Sequence, residues 1–266
     1  MFGILKRRRR NGLRAKPFPP AWRAILERSF PLFAKLPKPD QEELQGHIQV
    51  FVAEKNFEGC GGLKITDEMK VVIAAQACLL LLHRQTDYYP RLQSILLYPG
   101  TYVAKDREAT GHGVITERDH GRLGESWESG AVVLAWDATL GGARGTNDGQ
   151  NVVFHEFAHQ LDQEDGDADG APILERRTQY AQWARVLGGE FERLCRDAES
   201  DRRTLLDHYG AKNPAEFFAV ATECFFEKPE KLREKHPELY EELKHFYQQD
   251  PCETFRKSVS TQMTER

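Results

Sequence analysis

The segment His155-Glu156-Phe157-Ala158-His159 carries the residue types in this chain that are best suited to chemistry. Two histidines four positions apart project from the same face of a helix, so one metal ion can bind both imidazoles. Glu156 is offset from His155 by about 100° around such a helix, which places its carboxylate within reach of a water bound to the metal. This H-E-x-x-H arrangement is typical of zinc peptidases, in which the glutamate is the general base.

Apolar flanks distinguish this motif from a chance match on a solvated helix. The neighbouring apolar residues are Val152, Val153, Phe154, Phe157, Ala158 and Leu161. A buried helix does not place two histidines and a glutamate together without a partner, because burying unpaired polar groups is costly. A metal ion is the simplest partner, and a purely structural polar cluster is the alternative.

A third ligand must come from elsewhere in the chain, because a catalytic zinc site usually has three protein ligands and one open position. The apolar stretch 214–226 contains two carboxylates, Glu216 and Glu223, seven positions apart and therefore on one face of a helix. Either glutamate could be the ligand, and the other could orient a ligand histidine. In the structural alternative, both glutamates pair with arginines.

Composition excludes several classes of protein. A length of 266 residues with 40% hydrophobic and 29% charged residues is typical of a soluble globular protein. The net charge of −4 gives no reason to expect direct nucleic-acid binding. Five cysteines without a C-x-x-C pair indicate reduced thiols and a cytoplasmic location. The apolar run 71–82 is too short to span a bilayer, so we expect no stable membrane insertion.

The pattern of apolar residues predicts a mainly helical α+β fold with a small mixed sheet beside the metal-binding helix. We expect a flexible basic arm over residues 1–19, a single metallopeptidase domain over 20–250 and a loose tail over 251–266. Short β-rich runs lie at 94–99 and 130–136. Helices are expected at 21–33 with a break at Pro31, from Pro39 onward, and at 67–83, 175–198, 214–226 and 237–247.

Three loop and strand features carry further expectations. The strand 130–136 is a candidate edge strand that could pair with an extended substrate. Asn147 and Asp148 are expected to cap the metal-binding helix. The acidic stretch 162–170 matches part of a calcium loop, but Arg176 stands where a bidentate glutamate is required, so we expect a solvated turn.

The segments from His155 to Asp162 and from Asp207 to Val220 resemble the Mlc titration factor A family, which are bacterial cytoplasmic zinc peptidases of the gluzincin type. Further similar segments lie at 97–99, 124–127, 133–136 and 246–251. The resemblance covers about Trp22 to Pro251. It departs in the basic N-terminal segment, in the acidic loop, and at Val220, where thermolysin-like enzymes place an aspartate.

The resemblance implies a zincin-like fold and a set of residue roles. His155, His159 and Glu216 are the implied zinc ligands, Glu156 the implied base, and Tyr209 the implied donor to the oxyanion. Family members act as aminopeptidases on short peptides. Some also bind the repressor Mlc and relieve its repression of sugar uptake genes.

We therefore expect a zinc-dependent peptidase, aminopeptidase-like in specificity, that hydrolyses peptide bonds through a zinc-activated water. Its expected partners are a peptide substrate and, as a second role, the repressor Mlc. The alternative is a regulatory binding protein that sequesters a transcription factor with little catalysis. An intact Glu156 weighs against that alternative, since a purely structural site needs no base.

Overall fold

The structure is a computed structural model that describes residues 2–100, 102–110, 114–122, 124–127, 130–145 and 148–255. Its helices are α1 (Phe2–Arg14), α2 (Pro20–Ser29), α3 (Leu32–Lys35), α4 (Lys38–Glu54), α5 (Asp67–Leu79), α6 (Trp136–Arg144), α7 (Val152–Asp162), α8 (Tyr180–Glu199), α9 (Pro214–Glu227), α10 (Pro229–Lys235) and α11 (Pro237–Tyr247). Its strands are β1 (Asn56–Gly59), β2 (Ser94–Tyr98), β3 (Tyr102–Thr110), β4 (Val114–Arg122), β5 (Gly124–Trp127) and β6 (Ala131–Ala135). Short 3-10 helices cover Arg177–Gln179 and His208–Ala211.

Local sequence signals account for where most helices begin. Proline stands in the first turn of α2, α4, α9, α10 and α11, where its missing N–H has no helical partner to lose. Thr66 caps α5, because its hydroxyl accepts a hydrogen bond from the backbone N–H of Met69. The expected break at Pro31 is confirmed, since α2 ends at Ser29 and α3 begins at Leu32.

The sheet is small and mixed, in the order β1-β2-β6-β5. Strands β1, β2 and β6 run parallel, whereas β5 runs antiparallel to β6. The β3–β4 pair forms a separate antiparallel hairpin. The prediction that 130–136 is an edge strand is wrong, because β6 lies between β2 and β5; among the described strands of this sheet, β5 is the edge nearest α7.

A continuous apolar core extends from Ile25 to Cys252. Helix α5 runs through it, and every residue from Val71 to Leu82 is buried. Helix α7 packs against α5 and α9, so its polar residues lie between apolar elements. The predicted mainly helical α+β fold is confirmed. Within the described residues, none of the helices has the length and apolar composition needed to cross a lipid bilayer.

The expected flexible arm is wrong for Phe2–Arg14, which form helix α1. Arg10 anchors this helix: the residue is only 9% exposed, and its guanidinium donates to Glu54 and to Asp87. A buried ion pair with hydrogen bonds on both sides holds the helix against α4. The basic composition of this segment suggested a solvated arm. No local sign of the anchor is present in this segment, because Glu54 and Asp87, which bind Arg10, lie far away in sequence.

The other chain end and the loops differ in smaller ways. Residues 251–255 are helical and Cys252 is buried, so the loose tail does not begin at 251; residues 256–266 lie outside the described part of the chain. The acidic turn is solvated as expected, with residues 165–169 exposed. The glycine-rich segment after β6 forms helix α6.

Candidate metal centre and active site

Helix α7 is held at its start by Asn151. The Asn151 side-chain oxygen accepts hydrogen bonds from the backbone N–H groups of Val153 and Phe154, which makes Asn151 the N-cap. The expected cap at 147–148 is therefore misplaced: Asn147 lies outside the described residues, and Asp148 bonds the backbone of Gln150 instead.

The amide nitrogen of Asn151 ties the helix to two other elements. It donates to Gln76 on α5 at 3.0 Å and to Glu227 on α9 at 3.3 Å. Gly142 lies so close that an added Cβ would be 3.0 Å from the Asn151 amide. Sequence reasoning missed this polar junction, although an asparagine directly before an apolar helix is a recognisable cap signal.

Three ligand atoms from α7 and α9 meet in one place. The Nε2 atoms of His155 and His159 are 3.2 Å apart. Glu216 Oε2 lies 3.0 Å from the first nitrogen and 3.2 Å from the second. Within the described residues, these side chains form the group of His, Cys, Asp and Glu that could hold a metal ion.

This group passes a simple test of fit for zinc. A tetrahedral ion with bonds of about 2.0 to 2.1 Å to nitrogen and oxygen needs ligand atoms about 3.3 to 3.4 Å apart. The three observed distances, 3.0 to 3.2 Å, are close to that spacing. Two imidazoles and one carboxylate are a donor set that zinc prefers, and three protein ligands leave a position for water.

Glu223 occupies the other side of His155. Its Oε1 lies 2.7 Å from His155 Nδ1, and its Oε2 accepts a hydrogen bond from the backbone N–H of Asn151. An ionised carboxylate can only accept, so Nδ1 carries the hydrogen and Nε2 keeps its lone pair for a metal. The two glutamates thus have separate places, with Glu216 at the ligand side of the imidazole and Glu223 behind it. The two carboxylates therefore cannot exchange positions in this geometry. Their contacts with His155 also differ from the alternative in which both glutamates pair with arginines.

The charges of this group depend on one another. Burial alone would lower the pKa of His155, but hydrogen bonds with Glu216 and Glu223 outweigh burial and hold that pKa well above its ordinary value. Burial alone would raise the pKa of Glu216, but hydrogen bonds with both histidines dominate and hold it well below its ordinary value. The charged form of His155 is therefore favoured when no metal is bound, and a metal that binds its Nε2 must displace a proton.

Glu156 and Tyr209 border the ligand group. Glu156 is 4% exposed and lies on the next face of α7, where its charge contributes to the raised pKa of His155. The Tyr209 hydroxyl donates to Glu216 Oε1 at 3.2 Å, and its ring centroid is 5.8 Å from that of His155. Tyr209 is 50% exposed, so it stands where the site opens to solvent.

The loop before α7 also supports Tyr209. Asp207 accepts a hydrogen bond from the Tyr209 backbone N–H at 2.8 Å through one oxygen and from the Gln150 side chain at 2.9 Å through the other. The Asp207 carboxylate therefore joins the segment that carries Tyr209 to the residue just before the start of α7. Sequence reasoning assigned no role to Asp207.

His155 and His159 on α7 face Glu216 on α9. Glu156 directly follows the first of these histidines. Together these residues form the arrangement of a metallopeptidase site. The sequence model of the glucose-regulated metallo-peptidase M90 family matches residues 4–248. The chain belongs to this family, and the resemblance seen in its motifs is confirmed.

Several relatives are similar along nearly their whole length. The chain is 42% identical over 244 residues to uncharacterized protein slr2042 of Synechocystis sp., covering 91% of this chain and 89% of the relative. It is 30% identical over 240 residues to Mlc titration factor A of Klebsiella pneumoniae, covering 86% and 87%. It is 29% identical over 250 residues to Mlc titration factor A of Escherichia coli, covering 90% of each chain.

Proposed function

We propose that this chain is a zinc-dependent aminopeptidase whose ligands are His155, His159 and Glu216. The observation that carries the proposal is the convergence of His155 Nε2, His159 Nε2 and Glu216 Oε2 within 3.2 Å of one another. Membership of a metallo-peptidase family supports the same reaction class. The proposed substrate is a peptide, and the aminopeptidase preference rests on the family resemblance.

A zinc ion bound by these ligands would polarise the scissile carbonyl and lower the pKa of a bound water toward about 7. Glu156 accepts the proton of the attacking water and then delivers it to the leaving amine, so each proton is accounted for. The Tyr209 hydroxyl turns from Glu216 Oε1 toward the substrate and donates a hydrogen bond to the developing oxyanion. Glu223 holds His155 in the tautomer that leaves Nε2 free.

The decisive experiment compares Glu156→Gln with Glu216→Ala. Glu156→Gln keeps the size of the side chain but removes the base, so zinc content should stay at one ion per chain while peptide hydrolysis falls by about 100-fold or more. Glu216→Ala removes an anionic ligand, so zinc content should fall. Elemental analysis and hydrolysis of short amino-acyl substrates measure the two effects.

Glu164→Gln is a matched control, because Glu164 is a half-buried carboxylate just beyond the end of α7. It should leave both zinc content and hydrolysis near wild type. Full hydrolysis by Glu156→Gln would refute the assignment of the base. Unchanged zinc in Glu216→Ala would refute that ligand and favour Glu223.

A second role is suggested by the names of the relatives, since those in Klebsiella pneumoniae and Escherichia coli are called Mlc titration factor A. The corresponding proposal is that this chain binds a repressor of the Mlc type and so regulates transcription. A pull-down with purified repressor tests it, using both wild type and Glu156→Gln. Binding by both proteins would show that regulation does not need catalysis, and binding by neither would exclude this role.

We further propose the cytoplasm as the compartment of both activities. All five cysteines are free thiols, and three of them, Cys78, Cys224 and Cys252, are buried. Chains that mature in oxidising compartments commonly use their cysteines in disulfides.

A further inference from the structure

The outward side of helix α1 combines exposed apolar and basic side chains. Ile4 is 64% exposed and Leu5 is 60% exposed. Among the side chains that the structure describes, the other large hydrophobic residues with comparable exposure are Ile173 and Tyr209, each isolated from α1 in sequence. Scattered single apolar residues are normal on a surface, but an adjacent exposed pair on a helix is a feature that needs a reason.

The same helix is strongly basic. It has no acidic residue, and Arg7, Arg8 and Arg9 are all exposed. The whole chain has a net charge of −4, whereas the charged residues of α1 are all basic. Charge separation of this kind creates a local positive field on an otherwise acidic molecule.

The opposite side of α1 is fixed to the protein. Arg10 Nη2 lies 2.7 Å from Glu54 Oε2, and its guanidinium carbon is 4.6 Å from the centroid of the Tyr88 ring. Lys6 adds an ion pair with Asp87 at 2.8 Å, and Leu13 packs against the core. These contacts define which side of the helix faces outward.

Helical geometry then places the exposed residues. At about 100° per residue, Lys6, Arg10 and Leu13 share the inward side. Ile4, Leu5 and Arg8 lie on the opposite side, and Arg7 and Arg9 flank them. We call these five residues, Ile4, Leu5, Arg7, Arg8 and Arg9, the outward face of α1. Apolar side chains with cations around them are the pattern of a helix that lies in a membrane interface.

We propose that the outward face of α1 binds the surface of an anionic lipid membrane and holds the protein there peripherally. Ile4 and Leu5 would enter the headgroup region, and Arg7, Arg8 and Arg9 would contact lipid phosphates. Nucleic acid would also attract the arginines, but it gives no reason for two exposed aliphatic residues between them. The docked inward side means that binding requires no unfolding of the domain.

Vesicle co-sedimentation of the full chain tests the proposal. The probes are vesicles of phosphatidylcholine alone and vesicles that also contain about 30% phosphatidylglycerol. Wild type should bind the anionic vesicles, bind the neutral ones far more weakly, and lose affinity as salt rises. Replacing Arg7, Arg8 and Arg9 together by glutamine should weaken binding on the order of 100-fold. Ile4→Ser with Leu5→Ser should weaken it at least about tenfold at unchanged charge.

A matched control removes the same charge elsewhere. Arg193, Arg196 and Arg202 are exposed on or just after α8, and replacing all three by glutamine should leave vesicle binding near wild type. An equal loss in this control would show a general charge effect and overturn the proposal. It is also overturned if wild type ignores anionic vesicles, or if the Ile4 and Leu5 variant binds them as tightly as wild type. Tighter binding to duplex DNA, with that apolar variant unaffected, would assign the face to nucleic acid instead.

Discussion

Glu223→Gln exchanges one carboxylate oxygen for an NH₂ group and leaves the size of the side chain nearly unchanged. It therefore tests whether the Glu223 carboxylate organises the site around His155. Glu223 is 7% exposed and accepts two hydrogen bonds, one from His155 Nδ1 at 2.7 Å and one from the backbone N–H of Asn151. Glutamine has one acceptor oxygen and one amide nitrogen, so it cannot accept both. In either orientation an N–H group of the protein would face an NH₂ group.

The size of the effect follows from these contacts. If the new amide faces His155, it donates to Nδ1 and forces the hydrogen onto Nε2, the atom that meets His159 and Glu216. That hydrogen must be displaced before a metal can bind. If the amide faces Asn151 instead, a buried N–H loses its acceptor. A charge-assisted hydrogen bond contributes about 1.5 to 3 kcal/mol, so zinc affinity should fall by about 10-fold to 150-fold.

Competition with a chromophoric chelator measures the zinc affinity, and thermal unfolding of the same samples separates binding from loss of structure. Glu227→Gln is the matched control, because Glu227 is a buried carboxylate on the same helix that accepts from the Asn151 side chain at 3.3 Å. Glutamine retains an acceptor for that bond, so zinc affinity should stay near wild type. Zinc affinity in Glu223→Gln within about threefold of wild type, well short of the loss expected for an orienting carboxylate, would refute the role assigned to Glu223.

Three further predictions concern stability. Burial raises the pKa of Asp162 to about 6, so its ionised form destabilises the native state above about pH 6 and has no effect below about pH 4. Asp162→Asn should therefore raise the free energy of unfolding of the metal-free protein by about 2 kcal/mol near pH 7.5 and leave it unchanged near pH 4; urea titrations that show no such pH dependence would contradict this. Arg10→Met should weaken the docking of α1 by about 2 to 3 kcal/mol. Trypsin should then cleave within α1 faster than in wild type, and an unchanged cleavage rate would contradict the anchoring role of Arg10. Gly170→Ala should lower the free energy of unfolding by at least about 3 kcal/mol, because the φ of Gly170 is +77° and a Cβ would lie 2.5 Å from the carbonyl oxygen of Pro214. Gly188→Ala in α8, where a Cβ meets nothing within 4 Å, should instead raise it by about 0.5 to 1 kcal/mol. Melting temperatures that fail to move in opposite directions in the two variants would contradict this prediction.

Most helices were predictable because their signals are local. Apolar residues at helical spacing, prolines in first turns and the Thr66 cap belong to single segments, so α5, α9 and α11 begin at or close to the expected residues. Helix α6 was not among the expected helices, and it contains two glycines, Gly141 and Gly142. Its burial against α5 outweighs their low helix propensity.

The order of strands was not predictable in the same way. Residues 131–135 are extended as expected, although Trp136 already begins α6. Whether a strand is central or at an edge depends on its partners. Strand β5 pairs with β6 on the side away from β2, which makes β6 central. Likewise, the arginine run in α1 contains one member, Arg10, that is buried by carboxylates from two distant segments.

The sequence by itself determined that His155, Glu156 and His159 share one apolar helix, since their spacing alone fixes their relative directions. It also narrowed the third ligand to two glutamates on one face of another helix. Tertiary structure gave the two glutamates different surroundings: α9 crosses α7 so that Glu216 meets the Nε2 atoms of both histidines and Glu223 meets Nδ1 of His155. Spacing within an element is set by backbone geometry, whereas the distance between elements is set by how their side chains pack.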